Sequence, residues 1–294
     1  MSLTDARKII HAYYPSNGFI QVSVTGKKCA LHCDHCNARY LEHMVPATAP
    51  RDLYRVGMDW HRRGGRGMLI SGGSTPEGVV PLGPFLDTIR ALKKETGLLI
   101  NVHTGLMSKE MADEIKRAGV DAVSLDLVGS DETIRKVYHL DRGVGDYESS
   151  LKNLVSAGVS VSPHITIGLH YGRVVGEYAA VDMVARLNNE MHDISDLVFL
   201  VLIPTEGTAM ENTPPPEPED VKKVITYARE NLPVVRLVLG CMRPPGWKYE
   251  MAALEGGVDD IVLPSLKTRR VLRENGCEIK KLDGCCVFRR RSDM

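Results

Sequence analysis

Strand-like and helix-like segments alternate along almost the whole chain, and this alternation constrains the fold more than any other feature of the sequence. Eight short apolar runs, rich in β-branched residues, are typical of buried strands: 19–25, 68–71, 98–103, 122–127, 159–168, 197–203, 234–239 and 260–263. Between them, apolar residues recur at helical spacing, as in Met107, Met111 and Ile115. Gly119 and Gly158 each follow such a helix, where glycine readily adopts the left-handed cap before the next strand.

Repeated strand–helix units predict an α/β fold, namely a parallel (β/α)8 barrel of the TIM type. A doubly wound open sheet is the alternative, because the number of strands does not establish closure. A length of 294 residues suits one large domain of this kind. We expect an N-terminal helical extension over 1–18, the barrel over 19–265, and a last helix with a cysteine-bearing C-terminal tail over 266–294.

The overall composition argues against two classes of partner. Lysine and arginine together number 37, and so do aspartate and glutamate, so nothing indicates capture of nucleic acid or of an anionic membrane. No run of about 18 apolar residues occurs that would cross a bilayer, and the first residues lack the apolar core of a signal peptide. We therefore expect a cytoplasmic protein. In that reducing compartment, seven cysteines are better suited to metal binding than to disulfides.

Three of these cysteines lie close together directly after the first strand. Cys29, Cys33 and Cys36 have C-x3-C-x2-C spacing, and thiolates select iron–sulfur clusters, zinc or Cu(I). A four-iron cluster held by three cysteines keeps one iron open for a substrate or cofactor. A structural zinc ion would need a fourth ligand, for which His32 and His35 are candidates. The spacing alone leaves both kinds of site open.

Other chemistry-bearing residues fall on the same face of the predicted barrel, because active sites of such barrels gather at the carboxyl ends of the strands. The segment 72–74 follows the second strand, His103 the third, Asp126 the fourth and Cys241 the seventh. A glycine pair alone is often only a turn, and an aspartate at a strand end can cap the next helix. Their significance lies in sharing one face with the three cysteines.

The cysteine spacing on the loop after the first strand resembles the signature of the radical S-adenosylmethionine (radical SAM) enzymes. That resemblance implies that Cys29, Cys33 and Cys36 hold a [4Fe-4S] cluster whose open iron binds SAM. It further implies that an electron, from a donor of the ferredoxin or flavodoxin type, splits the sulfonium of SAM. The resulting 5′-deoxyadenosyl radical then abstracts hydrogen from an unactivated carbon, so the cofactor carries the difficult step.

The resemblance also assigns the contacts with SAM residue by residue, to His35, Gly72, Gly73, Ser74, Asp126, Thr166 and Gly168. His35 stands where the family usually has an aromatic residue near the adenine. Segment 72–74 matches the family's Gly-Gly-Glu, which receives the amino group of SAM, but Ser74 replaces the acid. Thr166 and Gly168 resemble the part of the fifth strand that touches adenine.

Within the family, most of the barrel is similar to the biotin synthase group. Segment 124–126 resembles the Asn-Leu-Asp of that group's fourth strand, so Asp126 is the implied ligand of the SAM ribose. Segment 203–212 resembles its sixth strand, which contains Gly-Thr-Pro-Leu. Ser150 stands where that group has an arginine for the SAM carboxylate, and Arg142 and Arg173 are the candidates to replace it.

A second departure concerns the sulfur-donating cluster of biotin synthases. That group binds it with cysteines on the third, fourth and fifth strands and an arginine on the seventh. The corresponding strands here carry no cysteine, and the third and fifth have Asn101 and Ser162. Cys241, however, stands at the position of the arginine on the seventh strand.

The remaining cysteines, Cys277, Cys285 and Cys286, all lie near the C-terminus. A tail folded over the barrel mouth could bring them to Cys241 and complete a second, auxiliary iron–sulfur cluster. Three cysteines with Ser292 or another ligand would also make such a site. Alternatively, Cys277 is only buried packing and the adjacent pair is incidental, since free cysteine is often a small core residue.

These departures suggest sulfur transfer onto a carbon chain other than that of biotin. Segments 70–74 and 99–106 resemble the second subunit of two-component, archaeal-type lipoyl synthases. This resemblance implies sulfur insertion into an octanoyl-lysine of a lipoyl domain or H-protein, together with a paralogous radical SAM partner chain. The alternatives are a radical SAM mutase, methyltransferase or hydrogenase-maturation enzyme, a non-catalytic iron–sulfur scaffold or electron carrier, and a zinc-stabilised barrel hydrolase.

Overall fold

The computed structural model describes residues 9–15 and 18–288. One parallel sheet of eleven strands runs through this part of the chain. The strands are β1 (Ile9–Tyr14), β2 (Phe19–Ser23), β3 (Val45–Pro46), β4 (Gly67–Ser71), β5 (Leu99–His103), β6 (Ala122–Asp126), β7 (Val161–Ile167), β8 (Asp196–Val201), β9 (Arg236–Leu239), β10 (Asp260–Val262) and β11 (Glu278–Asp283). Their order across the sheet is β11-β1-β10-β9-β8-β7-β6-β5-β4-β2-β3.

From β3 to β11, helices connect successive strands, which suits parallel pairing. They are α1 (Pro50–Arg62), α2 (Leu86–Glu95), α3 (Lys109–Arg117), α4 (Asp131–Val137), α5 (Val144–Ser156), α6 (Glu177–Met191), α7 (Pro218–Asn231), α8 (Trp247–Gly256) and α9 (Leu266–Glu274), with 3-10 turns at Arg39–His43 and Gly83–Phe85. The eight predicted strands correspond to β2 and β4–β10. The predicted α/β fold of the TIM type is confirmed.

The sheet is curled into a half-barrel rather than closed by hydrogen bonds. Across the described residues, the hydrogen-bonded order ends at β11 on one side and at β3 on the other. Side chains bridge the gap: the rings of Phe19 and Phe288 lie 5.4 Å apart, and Arg66 Nη2 lies 3.3 Å from Asp283 Oδ2. From β4 to β10 the spatial order follows the chain order. A doubly wound sheet would reverse that order part-way, so this alternative was wrong.

The predicted helical extension over 1–18 was wrong for Ile9–Tyr14, which form β1; residues 1–8 lie outside the described part of the chain. β1 lies between β10 and β11 and pairs with both. Ile10 and Ala12 are fully buried on one face of β1 while His11 and Tyr13 point to the other. This two-residue alternation favours a strand, and β1 covers the otherwise open edge of β10.

Successive side chains of the central strands point alternately outward, into a main core, and inward, into the barrel interior. Outward residues such as Leu125, Phe199 and Leu237 are fully buried in the main core, which also contains the apolar faces of the surrounding helices. Inward residues differ around the barrel. On β5–β7 they are polar and form what we call the polar arc: Asn101, His103, Ser124, Asp126, Ser162 and His164. On β8–β10, beyond the charged residue that begins each strand, they are apolar and form the apolar arc: Val198, Leu200, Val238 and Val262.

The C-terminal turn, residues 284–288, packs against the apolar arc inside the half-barrel. Cys286 and Val287 are buried there beside Tyr13. Arg236, at the start of β9, fixes this packing, because its Nη2 donates to the carbonyl of Cys286 at 2.6 Å. The C-terminal segment therefore fills part of the barrel and is not an independent tail.

The guanidinium of Arg236 also joins three strands at the amino end of the barrel. Its Nε lies 2.5 Å from Asp196 Oδ1, and its Nη1 lies 2.6 Å from Asp260 Oδ2. The same Nη1 donates to the Tyr13 hydroxyl at 3.1 Å, whose pKa burial raises to about 12. The pKa of Arg236 is itself raised, because the two carboxylates outweigh the opposing effect of burial.

Replacing Arg236 with leucine is expected to lower the free energy of unfolding by about 3–5 kcal/mol, because Asp196 and Asp260 lose a shared buried counter-ion. Urea denaturation followed by circular dichroism measures the change. Arg186→Leu is the matched control, since it removes the half-exposed Arg186–Glu148 pair at 2.8 Å and such surface pairs contribute little. Equal losses in the two variants would contradict a special role for Arg236.

Candidate functional site

The loop after β2 brings two of the three motif cysteines together. The amides of Cys36 and Asn37 both donate to the carbonyl of Cys33, at 3.1 and 2.8 Å. This tight turn leaves the ligand atoms of Cys33, His35 and Cys36 within 4.8 Å of one another. The described structure therefore places soft metal-binding donors on the carboxyl face of the sheet, as predicted.

The segment after β4 supports this loop from behind. A Cβ added at Gly73 would lie 2.1 Å from the carbonyl oxygen of Lys28 and 2.6 Å from Cα of Cys29, so only glycine fits. The amide of Gly73 donates to Thr25 Oγ1 at 2.7 Å, and the carbonyl of Ser74 accepts from the amide of Ala30 at 2.9 Å. The glycine pair thus holds the cysteine loop in position; its predicted contact with SAM stays a prediction.

Asp34, inside the cysteine motif, fastens the other side of the loop. Its Oδ1 lies 3.0 Å from His139 Nε2, and its Oδ2 accepts a hydrogen bond from the Tyr171 hydroxyl. Its amide donates to the carbonyl of Val137 at 2.9 Å. The loops after α4 and β7 are therefore tied to the motif. Sequence reasoning missed this residue, although an aspartate between two candidate ligands was a usable signal.

The electrostatics of the motif favour a thiolate. The pKa of Cys36 is lowered to about 4, because the Cys33 thiol and His35 stabilise its negative charge against the effect of burial. The pKa of Cys33 is raised by its hydrogen bond to Cys36, by burial, and by the charges of Cys36 and Cys29. Burial opposes protonation of His35, but its pKa is raised by Cys36, followed by Asp126 and Asp34. Thiolates of this kind are the ligands of iron–sulfur clusters and zinc.

The donor set suits an iron–sulfur cluster, because Cys33 and Cys36 lie close together in a buried environment and thiolates are the ligands of such clusters. Cys29 is near enough for its charge to raise the pKa of Cys33, and its place as the third ligand stays a prediction. His35 Nδ1 is buried and has no hydrogen-bond partner among the described residues, which suits a bound group at this point. The ring of His35 packs 5.3 Å from that of Tyr138. His35 would equally serve as a zinc ligand, so the geometry alone leaves both metals open.

Asp126, a member of the polar arc, lies near the cysteine loop at the carboxyl end of β6. Its charge contributes to raising the pKa of His35 and of Tyr138, both beside the motif. On its other side, Asp126 Oδ2 is 3.8 Å from His103 Nε2. A carboxylate between the cluster ligands and the barrel interior is well placed for a polar group of SAM. The assignment of Asp126 to the ribose stays a prediction.

The loop after β7 is rigid because of Glu177, a residue that sequence reasoning missed. Its buried carboxylate accepts from the amides of Gly168 at 2.7 Å, Val175 at 2.8 Å and Gly176 at 3.0 Å. Gly168 has a φ of +80°, and a Cβ there would lie 2.6 Å from Pro216 Cδ. The backbone that follows Thr166 is therefore held by hydrogen bonds and by close packing.

Ser150 stands where biotin synthases have an arginine for the SAM carboxylate, and here it has a structural role. Its hydroxyl accepts from the amide of Met107 at 2.9 Å and donates to the carbonyl of Asp146 at 2.7 Å, which leaves it fully buried. Arg142 and Arg173 are both exposed. Whether either binds the carboxylate of SAM stays a prediction.

A second group of cysteines lies where the C-terminal turn meets the end of β9. Cys241 is exposed at the rim of the barrel, and the pKa of its thiol is raised by desolvation from neighbouring protein atoms and then by the charge of Cys285. The pKa of Cys286 is raised by its hydrogen bond to Cys285, by burial, and by the charges of Cys285 and Cys241. Cys277 lies elsewhere, buried in the main core, with its amide bonded to the carbonyl of Leu272. Cys241, Cys285 and Cys286 are thus near enough for their charges to interact, but among the described residues only the motif donors Cys33, His35 and Cys36 lie within 4.8 Å of one another, so the auxiliary cluster stays a prediction.

Comparison with known proteins identifies the family. The model of the radical SAM superfamily matches residues 23–177, more than half of the chain, and the match includes all three motif cysteines. A 7,8-didemethyl-8-hydroxy-5-deazariboflavin synthase of Archaeoglobus fulgidus is 26% identical over 237 residues, covering 75% of this chain and 69% of the relative. A biotin synthase of Sorangium cellulosum is 26% identical over 257 residues, covering 81% and 70%.

A solved structure agrees with the fold. HydG, a maturase of the [FeFe]-hydrogenase, matches with a TM-score of 0.64 at 16% identity, covering 94% of this chain. The chain spans only 65% of the length of that HydG chain. None of the helices in the described ranges is long and apolar enough to cross a bilayer.

The family match decides between the metals that the geometry left open. The motif lies inside the matched region, and the donors of its loop suit the [4Fe-4S] cluster and SAM that the family uses. The chain is also similar to biotin synthases, at 26% and 23% identity to two of them. This protein belongs to the radical SAM superfamily.

Proposed function

We propose that this radical SAM enzyme inserts sulfur into a protein-bound octanoyl chain, as in lipoyl synthesis. The observation that carries the proposal is the divided barrel interior, in which the polar arc borders the motif loop and the apolar arc borders a second group of cysteines. Biotin synthases among the relatives favour sulfur insertion as the type of reaction. The identity of the substrate, a protein-bound octanoyl chain, is itself proposed.

In the proposed enzyme, Cys29, Cys33 and Cys36 hold the [4Fe-4S] cluster. When bound, that cluster together with SAM supplies the reductive cleavage that starts the radical reaction. The chain's own contribution is to position the reactants and to exclude water from them. Gly73 and Asp34 fix the loop from two sides, and the loops tied to Asp34 cover it, so the site can hold its geometry while substrate binds.

The two arcs of the interior suit different parts of the reactants. Asp126 and its neighbours offer hydrogen-bond acceptors for the polar groups of SAM. Across the barrel, the C-terminal turn already covers Val198 and Val238, and Leu200 is the partly exposed member of the apolar arc on β8 and β9. In the proposal, the saturated acyl chain packs beside Leu200 with its reacting carbons between the two cysteine groups, and burial of each methylene contributes about 0.8 kcal/mol.

The second cysteine group is the proposed source of sulfur. Cys241, Cys285 and Cys286 would hold an auxiliary cluster, for which thiolates are suitable ligands. Arg236 contributes by holding the carbonyl of Cys286, which fixes the C-terminal turn. Ser292, another candidate ligand, lies outside the described residues, and Cys277 would not take part.

The proposal includes an electron donor of the ferredoxin or flavodoxin type, a paralogous partner chain, and an octanoylated lipoyl domain or H-protein. A second candidate is a biotin synthase-like mutase, methyltransferase or hydrogenase-maturation enzyme, which the fold shared with HydG favours. Iron analysis after anaerobic reconstitution separates the two. Sulfur insertion requires about eight iron atoms per chain, whereas about four indicate the motif cluster alone.

Neutral His164 leaves an acceptor in the polar arc. Its Nδ1 lies 2.8 Å from the carbonyl oxygen of Ser162, and because a carbonyl only accepts, Nδ1 carries the proton. Nε2 is then free to accept a hydrogen bond. Burial lowers the pKa of His164 to about 4, and His103 adds to the effect.

Cys36→Ala is expected to reduce 5′-deoxyadenosine formation from SAM and dithionite by about a hundredfold or more, because the cluster loses a ligand. Liquid chromatography with mass spectrometry measures the product. Cys277→Ala is the matched control and should retain the activity, since that cysteine lies in the main core. Persistent cleavage in the Cys36 variant would reject the site.

Cys241→Ala is expected to keep reductive SAM cleavage but to stop sulfur insertion, because only the auxiliary site loses a ligand. The measurement is mass spectrometry of an octanoyl-lysine peptide of a lipoyl domain, incubated with SAM and reductant, with and without a candidate partner chain. A thiolated peptide from the variant would show that Cys241 is not required for sulfur transfer.

A pH dependence follows from His164. Its pKa is about 4 in the folded protein against 6.5 ordinarily, so the unfolded chain binds the extra proton and stability falls as pH drops from about 6.5 to 4. His164→Gln, which cannot take up this proton, should flatten that part of the profile. Urea midpoints at pH 7 and 5 measure it; identical pH dependence in both proteins would contradict the assignment.

A further inference from the structure

The edge of the barrel above the apolar arc carries exposed apolar side chains. We call residues 241–248 and 263–267, which follow β9 and β10, the β9–β10 rim. Leu263 is 44% exposed and Leu266 is 76% exposed, and Pro245 is also exposed. Single exposed leucines are common, but several exposed apolar residues on one edge, beside the Cys241 thiol, indicate a contact surface.

Leu263 is held outward in an unfavourable backbone conformation. Its φ is +49°, a left-handed value that costs an ordinary residue roughly 1–2 kcal/mol. Its amide donates to the carbonyl of Tyr13 at 3.0 Å, and its own carbonyl accepts from Arg243 Nη2 at 3.1 Å. The surrounding structure therefore imposes the outward position, and strain of this kind is concentrated at functional sites.

Arg243 ties this leucine to the second cysteine group. Its Nη1 donates to the carbonyl of Gly240, next to Cys241, at 2.7 Å. Its Nη2 pairs with Glu250 Oε1 at 2.9 Å, and both side chains are more than nine-tenths buried. The other carboxylate oxygen of Glu250 accepts from the amide of Ser265. One buried ion pair thus connects both halves of the rim to the backbone beside Cys241.

The exposed charged side chains of the rim and of the first turn of α9 are all positive. Lys248, Lys267 and Arg270 are exposed, and Lys267 Nζ lies 3.7 Å over the ring of Trp247. Glu250, the acid nearest to them in sequence, is neutralised by its buried pair. Because lysines and arginines equal aspartates and glutamates in the whole chain, this excess is local.

We propose that the β9–β10 rim is the docking surface for the acyl-carrying substrate protein, and that it binds an acidic, partly apolar face of that protein. This inference rests on the proposed function, because only a protein-bound acyl group needs such a surface. Cationic and apolar groups together select an acidic partner. Docking here brings the acyl-lysine to the edge at which Cys241 is exposed.

A second copy of this chain fits the rim less well. Most homodimers have two-fold symmetry, which places the same patch opposite itself, and here that would set cations against cations. An anionic membrane would also satisfy the charge and the apolar groups. The experiment therefore includes both as outcomes.

The test compares wild type with Leu266→Asp and Lys267→Glu, using a folded, fluorescently labelled octanoylated lipoyl domain. Fluorescence anisotropy should show at least about tenfold weaker binding for each variant, which corresponds to 1.4 kcal/mol. Wild-type binding should weaken with added salt. Val234→Asp is the matched control: Val234 is 85% exposed but lies before β9, at the opposite end of the barrel, and the variant should bind normally.

A short octanoyl-lysine peptide separates docking from chemistry. Because it does not need the rim, its turnover should be the same in Leu266→Asp and wild type, whereas turnover of the whole domain should fall. If sulfur enters neither substrate while the domain binds in a rim-dependent way, the proposed function fails and the docking surface stands.

Three results would overturn the inference. The first is unchanged or undetectable binding of the domain, even when the short peptide is converted. The second is binding of wild type to vesicles of anionic phospholipid, with loss in the rim variants, in place of binding to the domain. The third is a rim-dependent dimer in size-exclusion chromatography that excludes the domain.

Discussion

The two-residue alternation of parallel strands is the constraint on which the rest of this structure depends. One face of each strand must be covered by helices, so it is uniformly apolar, as Leu125 and Leu237 show. The other face lines a narrow interior and is free to vary. Evolution of function in such a fold is therefore confined to inward residues and to the loops at the carboxyl ends of the strands.

Polar and apolar side chains occupy different walls of the barrel interior. The polar arc lies next to the motif loop through Asp126, and the apolar arc lies next to Cys241 and the C-terminal turn. In the proposed function, this arrangement keeps a charged cofactor and a hydrocarbon chain on separate walls. Arg236 is central to it, because it neutralises two buried carboxylates and holds Cys286 with a single guanidinium.

Several parts of this description were available from local patterns. The eight strands of the barrel followed from short apolar runs between helical periodicities, and the three-cysteine loop from its spacing. The helical prediction for Ile9–Tyr14 was wrong because a short apolar segment forms either element until its partner is known. Here the partner is the edge of β10, more than two hundred residues away.

The sequence by itself determined the strand–helix order and singled out the three motif cysteines as candidate ligands, since both depend on residues close together in the chain. Only the tertiary structure decided that Asp34 and Glu177 hold the site's loops, and that Cys277 is separated from Cys241 while Cys286 is not. The reason is physical: such contacts join segments whose proximity arises from curling of the sheet, and no local periodicity encodes the distance between them.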